Sequence, residues 1–148
     1  MSVFTSRVVP LLLPAALLLG GCSKGQEPMP APLYLLDQPW QLVEQQGQPV
    51  EPAASADGAV TLTLSSLGNV GTGRAGCAAY RHGFLLVAGT NNLLFAPPTR
   101  TLPACPHHGQ EARYLHLLSQ VRRYTISHRQ LQLFDTGHEQ PLLVFEVE

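Results

Sequence analysis

Val60-Thr61-Leu62-Thr63-Leu64-Ser65 alternates apolar and hydroxyl side chains without a break. Val60, Leu62 and Leu64 therefore share one face and the hydroxyls the other, the period of a strand buried on one side. Downstream, Val70-Gly71-Thr72-Gly73-Arg74 reads as a glycine-rich strand, in which missing side chains point to a close backbone approach or a bulge. Arg81 to Val87 and Asn92 to Ala96 form two more strands, with Gly89-Thr90-Asn91-Asn92 as the turn. Upstream, Trp40-Gln41-Leu42-Val43 is a first strand, followed by a Gly/Pro/Ala-rich loop from Gly47 to Gly58.

One helix interrupts the strands. Tyr114, Leu115, Leu118 and Val121 recur at helical spacing and make one apolar stripe between Glu111 and Val121. Glu111 in the first turn and Arg122-Arg123 near the end suit the helix dipole. Tyr124–Ser127, Leu131–Phe134 and Leu142–Val147 then read as three strands of an antiparallel meander, separated by turns at Ser127-His128-Arg129 and at Asp135–His138.

A chain of 148 residues with 45% hydrophobic and 13% charged residues has the means for one packed core. Thirteen Gly and thirteen Pro favour strands and turns over a helical bundle. A formal net charge of −1, with Lys24 as the single lysine, excludes the clustered cations that nucleic acid requires.

Residues 1–21 read as a signal peptide: Arg7 supplies the positive charge, and Val8 to Leu19 form an apolar run shorter than the ~20 residues of a membrane helix. Leu19-Gly20-Gly21-Cys22 then resembles the lipobox of bacterial lipoproteins. That resemblance implies that Cys22 becomes the first residue of the mature chain and carries acyl chains, and more than one chain makes anchoring stable. Ser23 stands where an Asp would favour inner-membrane retention, so the expectation is an outer-membrane anchor with the domain in the periplasm. Residues 22–36, with Gly25, Pro28, Pro30 and Pro32, form an extended tether, and 37–148 the domain.

With Cys22 lipidated, Cys77 and Cys105 remain as an even pair in an oxidising compartment. A bridge between them would close a loop of about 29 residues, worth roughly 3–4 kcal/mol on the chain-entropy estimate.

Three groups of residues give the stretch from Trp40 onward its likeness to a known family: Gly73-Arg74-Ala75-Gly76-Cys77, Thr101-Leu102-Pro103-Ala104-Cys105-Pro106, and the helix-then-strands ending from Leu115 through Leu133 to Leu143-Val144-Phe145. The chain resembles the META domain of the HslJ-like heat-shock lipoproteins over about three quarters of its length. The family usually has Asn after its first cysteine; here Ala78 stands there. The resemblance implies an α+β domain, a mainly antiparallel, curved, half-barrel-like sheet with one helix packed on it. It also implies no enzymatic activity and an association with heat shock and envelope stress.

Few side chains carry the marks of chemistry. Cys105-Pro106-His107-His108 has the ligand types of a zinc or copper site, with His138 or His82 as further donors, but a disulfide would remove the thiolate. His116 reads as a partly buried histidine at the edge of the stripe, and His128 and His138 as exposed turn residues. No Gly-x-Ser-x-Gly elbow or paired carboxylates point to catalysis, and Gly71-Thr72-Gly73 lacks the Lys of a phosphate loop. Trp40, Tyr80 and Phe84 are candidates to line a ligand groove, against the ordinary role of aromatics as core. The expectation is a non-enzymatic envelope lipoprotein without a cofactor, held to the membrane by lipid and binding an envelope protein through edge strands. A small-ligand or metal-binding module is the alternative, or an inhibitor-like domain acting through the Gly47–Gly58 loop.

Overall fold

The alternating segment forms a strand, β3 (Val60–Leu64), with Leu62 and Leu64 buried. It lies antiparallel between β1 (Pro39–Gln45) and β4 (Val70–Ala75). The structure is a computed structural model that describes residues 34–51, 58–100 and 108–147, with the backbone alone at 108 and 109. Around β3 lie β2 (Gln48–Pro49), β5 (Ala78–Leu86), β6 (Leu93–Phe95), β7 (Thr99–Arg100), α1 (His108–Gln120), β8 (Arg123–Ser127), β9 (Gln130–Phe134) and β10 (Leu143–Val147).

The strands run β6-β5-β4-β3-β1-β10-β9-β8, with β2 added to β1 and β7 to β5. The β8-β9-β10 meander turns back so that β10 pairs with β1, joining the two ends of the domain. At the far edges, Asn92 bridges Arg123, the Leu93 N–H donates to the Arg122 carbonyl (3.0 Å), and the Tyr124 N–H to that of Asn91 (2.9 Å). The sheet therefore curls past a half-barrel into a nearly closed one, which leaves few unpaired edges.

The interior is filled from both the sheet and α1. Trp40, Leu62, Leu131, Leu133, Leu143 and Phe145 come from strands, and Tyr114, Leu118 and Val121 from the helical stripe. Leu117 is buried as well, so the stripe is wider than the four expected residues. His116, by contrast, is exposed, with Gln120 Nε2 3.3 Å from its Nε2; Leu115 and Leu117 face inward on either side of it. Leu35, within the stretch expected as tether, is buried in the core, and its carbonyl accepts from Trp40 Nε1 (3.1 Å), while Leu36 bridges Leu64. The folded unit thus takes in residues ahead of 37.

A β-bulge interrupts β1. Leu42 pairs with Phe145 and Glu44 with Val144, so Val43 is an extra residue. One inserted residue exchanges the two faces of a strand. Trp40 and Leu42 point inward before the bulge, and after it the inward residue is Gln45, a polar side chain only 7% exposed.

Candidate functional site

The strongest candidate site lies where the bulged end of β1 meets the first turns of α1. An open groove of about 560 Å³ is lined by Gln45, Gln48 and Val50 from the β1–β2 hairpin and by Gln110 and Arg113 from the helix. A smaller cleft of about 150 Å³ shares Val50, Glu51 and Gln110 with it and reaches Gln41, Gly76 and Glu111. The hairpin and the helix are tied together by Arg113, whose Nε and Nη2 both donate to Gln46 Oε1.

Two polar side chains of this region are buried. Glu111 is in the first turn of α1, where the helix dipole favours a carboxylate. Its side chain is 2% exposed, and Arg100 Nε, brought in by the β5–β7 pairing, stands 3.0 Å from Oε1. Neither carboxylate oxygen has a well-directed hydrogen bond among the described residues, and neither does Gln45 Oε1. Buried acceptors without donors cost roughly 1–3 kcal/mol each, which makes them exceptions that call for a reason. Arg100 partners Glu111 Oε1 as an ion pair, so Glu111 Oε2 and Gln45 Oε1 are the acceptors left without a donor among the described residues, and each suits a donor.

A second polar cluster lies inside the barrel. Tyr80 on β5 donates to the Thr61 carbonyl (2.7 Å), so the Tyr114 hydroxyl, 2.7 Å away, donates to Tyr80. Burial pushes both phenols well above their ordinary range. His82 stacks on Tyr80 and meets Phe95 edge-on; its Nδ1 is 3.2 Å from the Gly83 carbonyl and its Nε2 is buried without a partner. Burial holds His82 below the usual imidazole range, which favours the neutral ring. Tyr80, His82 and Tyr114 are all buried, and the cluster works as core.

The residues expected to form a site are dispersed. Trp40, Tyr80 and Phe84 are all buried and belong to the core; of the three, Phe84 also lines a shallow open recess, between β5 and β6. Cys77 follows Gly76 in the β4–β5 turn and is disulfide-bonded. Cys22, Cys105 and His107 lie outside the described residues, and of His108 only the backbone, opening α1, is described. His128 and His138 are exposed; His138 Nδ1 meets Asp135 Oδ2 at 2.7 Å, which lowers the Asp135 pKa. Among the described residues no three His, Cys, Asp or Glu side chains gather as a metal site. Sequence reasoning missed the inward Gln45, which the bulge in β1 produces, and the burial of Glu111 against Arg100, which the β5–β7 pairing brings in.

The META domain family matches residues 33–148. Among solved structures, a protein from Burkholderia xenovorans studied by NMR is similar, with 31% identity, a TM-score of 0.57, and 77% of this chain and 83% of that one covered. A crystal structure of a DUF4847 family protein from Bacteroides vulgatus is 13% identical with a TM-score of 0.52, covering 76% of this chain and 92% of that one, a likeness of fold alone. No curated protein matches.

Proposed function

The chain belongs to the META domain family, and on that premise we propose that it is a lipid-anchored, non-catalytic binding protein of the cell envelope. The apolar run to Leu19 and the Leu19-Gly20-Gly21-Cys22 motif support an anchor at Cys22, with the domain in the periplasm on the outer membrane. Cys22→Ala should release the protein into the soluble fraction; unchanged membrane retention would sink the anchor.

The binding reading rests on the groove between the β1–β2 hairpin and α1, whose lining includes Gln45 with its unmatched Oε1, and on the adjoining cleft lined by Glu111 with its unmatched Oε2. A partner segment offering amide or cationic donors would satisfy them and seal the groove from water. Gln45→Leu tests this, because it removes a stranded acceptor while keeping side-chain volume. The variant should be as stable as the parent or more so. It should also lose the envelope protein that a photo-crosslinker at Gln48 or Gln110 captures in growing cells. Full capture by the variant overturns the groove. A blank from both positions, in normal growth and heat stress, overturns protein binding and turns the reading to a small ligand, for which calorimetry is the next measurement.

A further inference from the structure

The same barrel carries an apolar surface at the end remote from the groove. Leu67, in the β3–β4 turn, is 82% exposed; Leu85 on β5 is 55% exposed and pairs directly across the strands with Leu94 on β6, and Val87 comes next on the same face. The Asn69 carbonyl accepts the Phe84 N–H, which sets the turn bearing Leu67 against the β5–β6 hairpin. A shallow recess of about 290 Å³ between Leu85 and Leu94 is lined by apolar residues alone, Gly83, Phe84 and Ala96 among them. Arg81, two outward positions along β5 from Leu85, is exposed beside it. Single exposed leucines are ordinary on a protein surface, but a contiguous apolar face bordered by a cation is a contact surface.

The course of the chain says what covers it. The domain begins beside this turn: Leu36 bridges Leu64, the Asp37 N–H donates to the Leu64 carbonyl (2.8 Å), and Asp37 Oδ1 accepts the Ser66 N–H (2.9 Å), one residue from Leu67. Tyr34, where the described chain starts, is itself 70% exposed. Only twelve positions separate it from Cys22. A span of that length reaches at most about 40 Å at full stretch. That is comparable with a domain of this size, so an anchor at Cys22 would keep this end of the barrel close to the bilayer.

We infer that this end of the barrel rests on the lipid surface into which the acyl chains of Cys22 insert. Leu67, Leu85, Val87 and Leu94 enter the interfacial layer, and Arg81 meets headgroup phosphates. The contact turns the β1–β2 groove, at the other end of the barrel, away from the membrane toward a partner. The inference rests on the proposed anchor at Cys22.

The test uses the full lipidated chain in phosphatidylethanolamine–phosphatidylglycerol vesicles containing lipids brominated along their acyl chains, which quench nearby tryptophan. Leu67→Trp and Leu85→Trp should each lose emission to the brominated lipid. Gln48→Trp, about 20 Å along β1 at the other end, should keep it, with buried Trp40 as the constant background. Vesicle-bound protein whose Leu67→Trp and Leu85→Trp emission is untouched overturns the inference while sparing the anchor. In that event concentration-dependent crosslinking through Leu85 would assign the face to a second copy. Protein that stays off the vesicles despite an intact Cys22 overturns the anchor, and the inference with it.

Discussion

The imidazole of His82 occupies the space that a side chain on Gly71 would need: a Cβ there would lie 2.1 Å from His82 Cε1. The two residues are register partners on β4 and β5, with their faces turned into the barrel. Gly73 stands in the same relation to Tyr80, since a Cβ would come 2.6 Å from the Tyr80 hydroxyl and 2.0 Å from the Thr61 carbonyl. The two glycines of Gly71-Thr72-Gly73 are thus the seats of two large inward side chains of the neighbouring strand. That accounts for the glycine-rich strand without any ligand.

Gly71→Ala should destabilise the domain by roughly 1–3 kcal/mol or more, the usual cost of overpacking a filled core. The His82→Ala variant should lose stability through its cavity, and the double variant should lose less than the sum of the two, because the methyl then has room. Urea titrations of the four proteins measure the coupling. Additive losses would mean that the ring and the glycine do not compete for one space.

His82 also makes stability depend on pH. Burial depresses its pKa in the folded state, outweighing the Gly83 carbonyl, which acts in the opposite direction. The unfolded chain, with a histidine near 6.5, therefore binds its proton first as pH falls. This contribution is fully present above about pH 6.5 and is lost at up to about 1.4 kcal/mol per pH unit below it, until the folded ring protonates as well. Denaturation midpoints between pH 7.5 and 5 should fall for the parent and fall less for His82→Leu. Equal slopes would remove His82 as the cause.

Much of this fold was legible in the sequence, and what was not has identifiable physical causes. The alternation at Val60–Leu64 and the helical stripe through Tyr114 and Leu118 set burial directly, because each periodicity belongs to one secondary structure. The two-residue strands β2 and β7 carry no period to read. The bulge at Val43 exchanges the faces of β1 without any local mark, so an inward Gln45 could not be seen in Trp40-Gln41-Leu42-Val43. The candidate site was hidden for a related reason: Glu111 meets Arg100 only through the pairing of β7 with β5. Trp40 and Tyr80 show the converse, since aromatics read as possible groove walls are held in the interior by their place on the inward face.

The hydroxyl relay from Tyr114 through Tyr80 to the Thr61 carbonyl gives a directional prediction. Tyr80→Phe removes the donor to the half-buried Thr61 carbonyl and the acceptor of the buried Tyr114 hydroxyl together. Tyr114→Phe removes one donor and leaves the Tyr80–Thr61 bond intact. With an unmatched buried group costing roughly 1–3 kcal/mol, Tyr80→Phe should be the more damaging by about one such group. Equal losses by urea titration would contradict the order of donation.

The disulfide at Cys77 links stability to anchoring. The chain has three cysteines, and a Cys22 that carries lipid has no thiol to give to a bridge. The anchor therefore requires that Cys77 pair with Cys105. On that pairing, Cys77→Ser and Cys105→Ser should each cost about 3–4 kcal/mol on the loop-entropy estimate, and the double variant no more than either alone, since all three lack the same bridge. Cys22→Ala should release the protein from the membrane and leave the urea midpoint of the domain where it was. The reverse pattern, with Cys22→Ala destabilising the domain and Cys105→Ser neutral, would place the bridge at Cys22 and withdraw the lipid anchor. Stability measurements on three single variants thus decide a question of localisation.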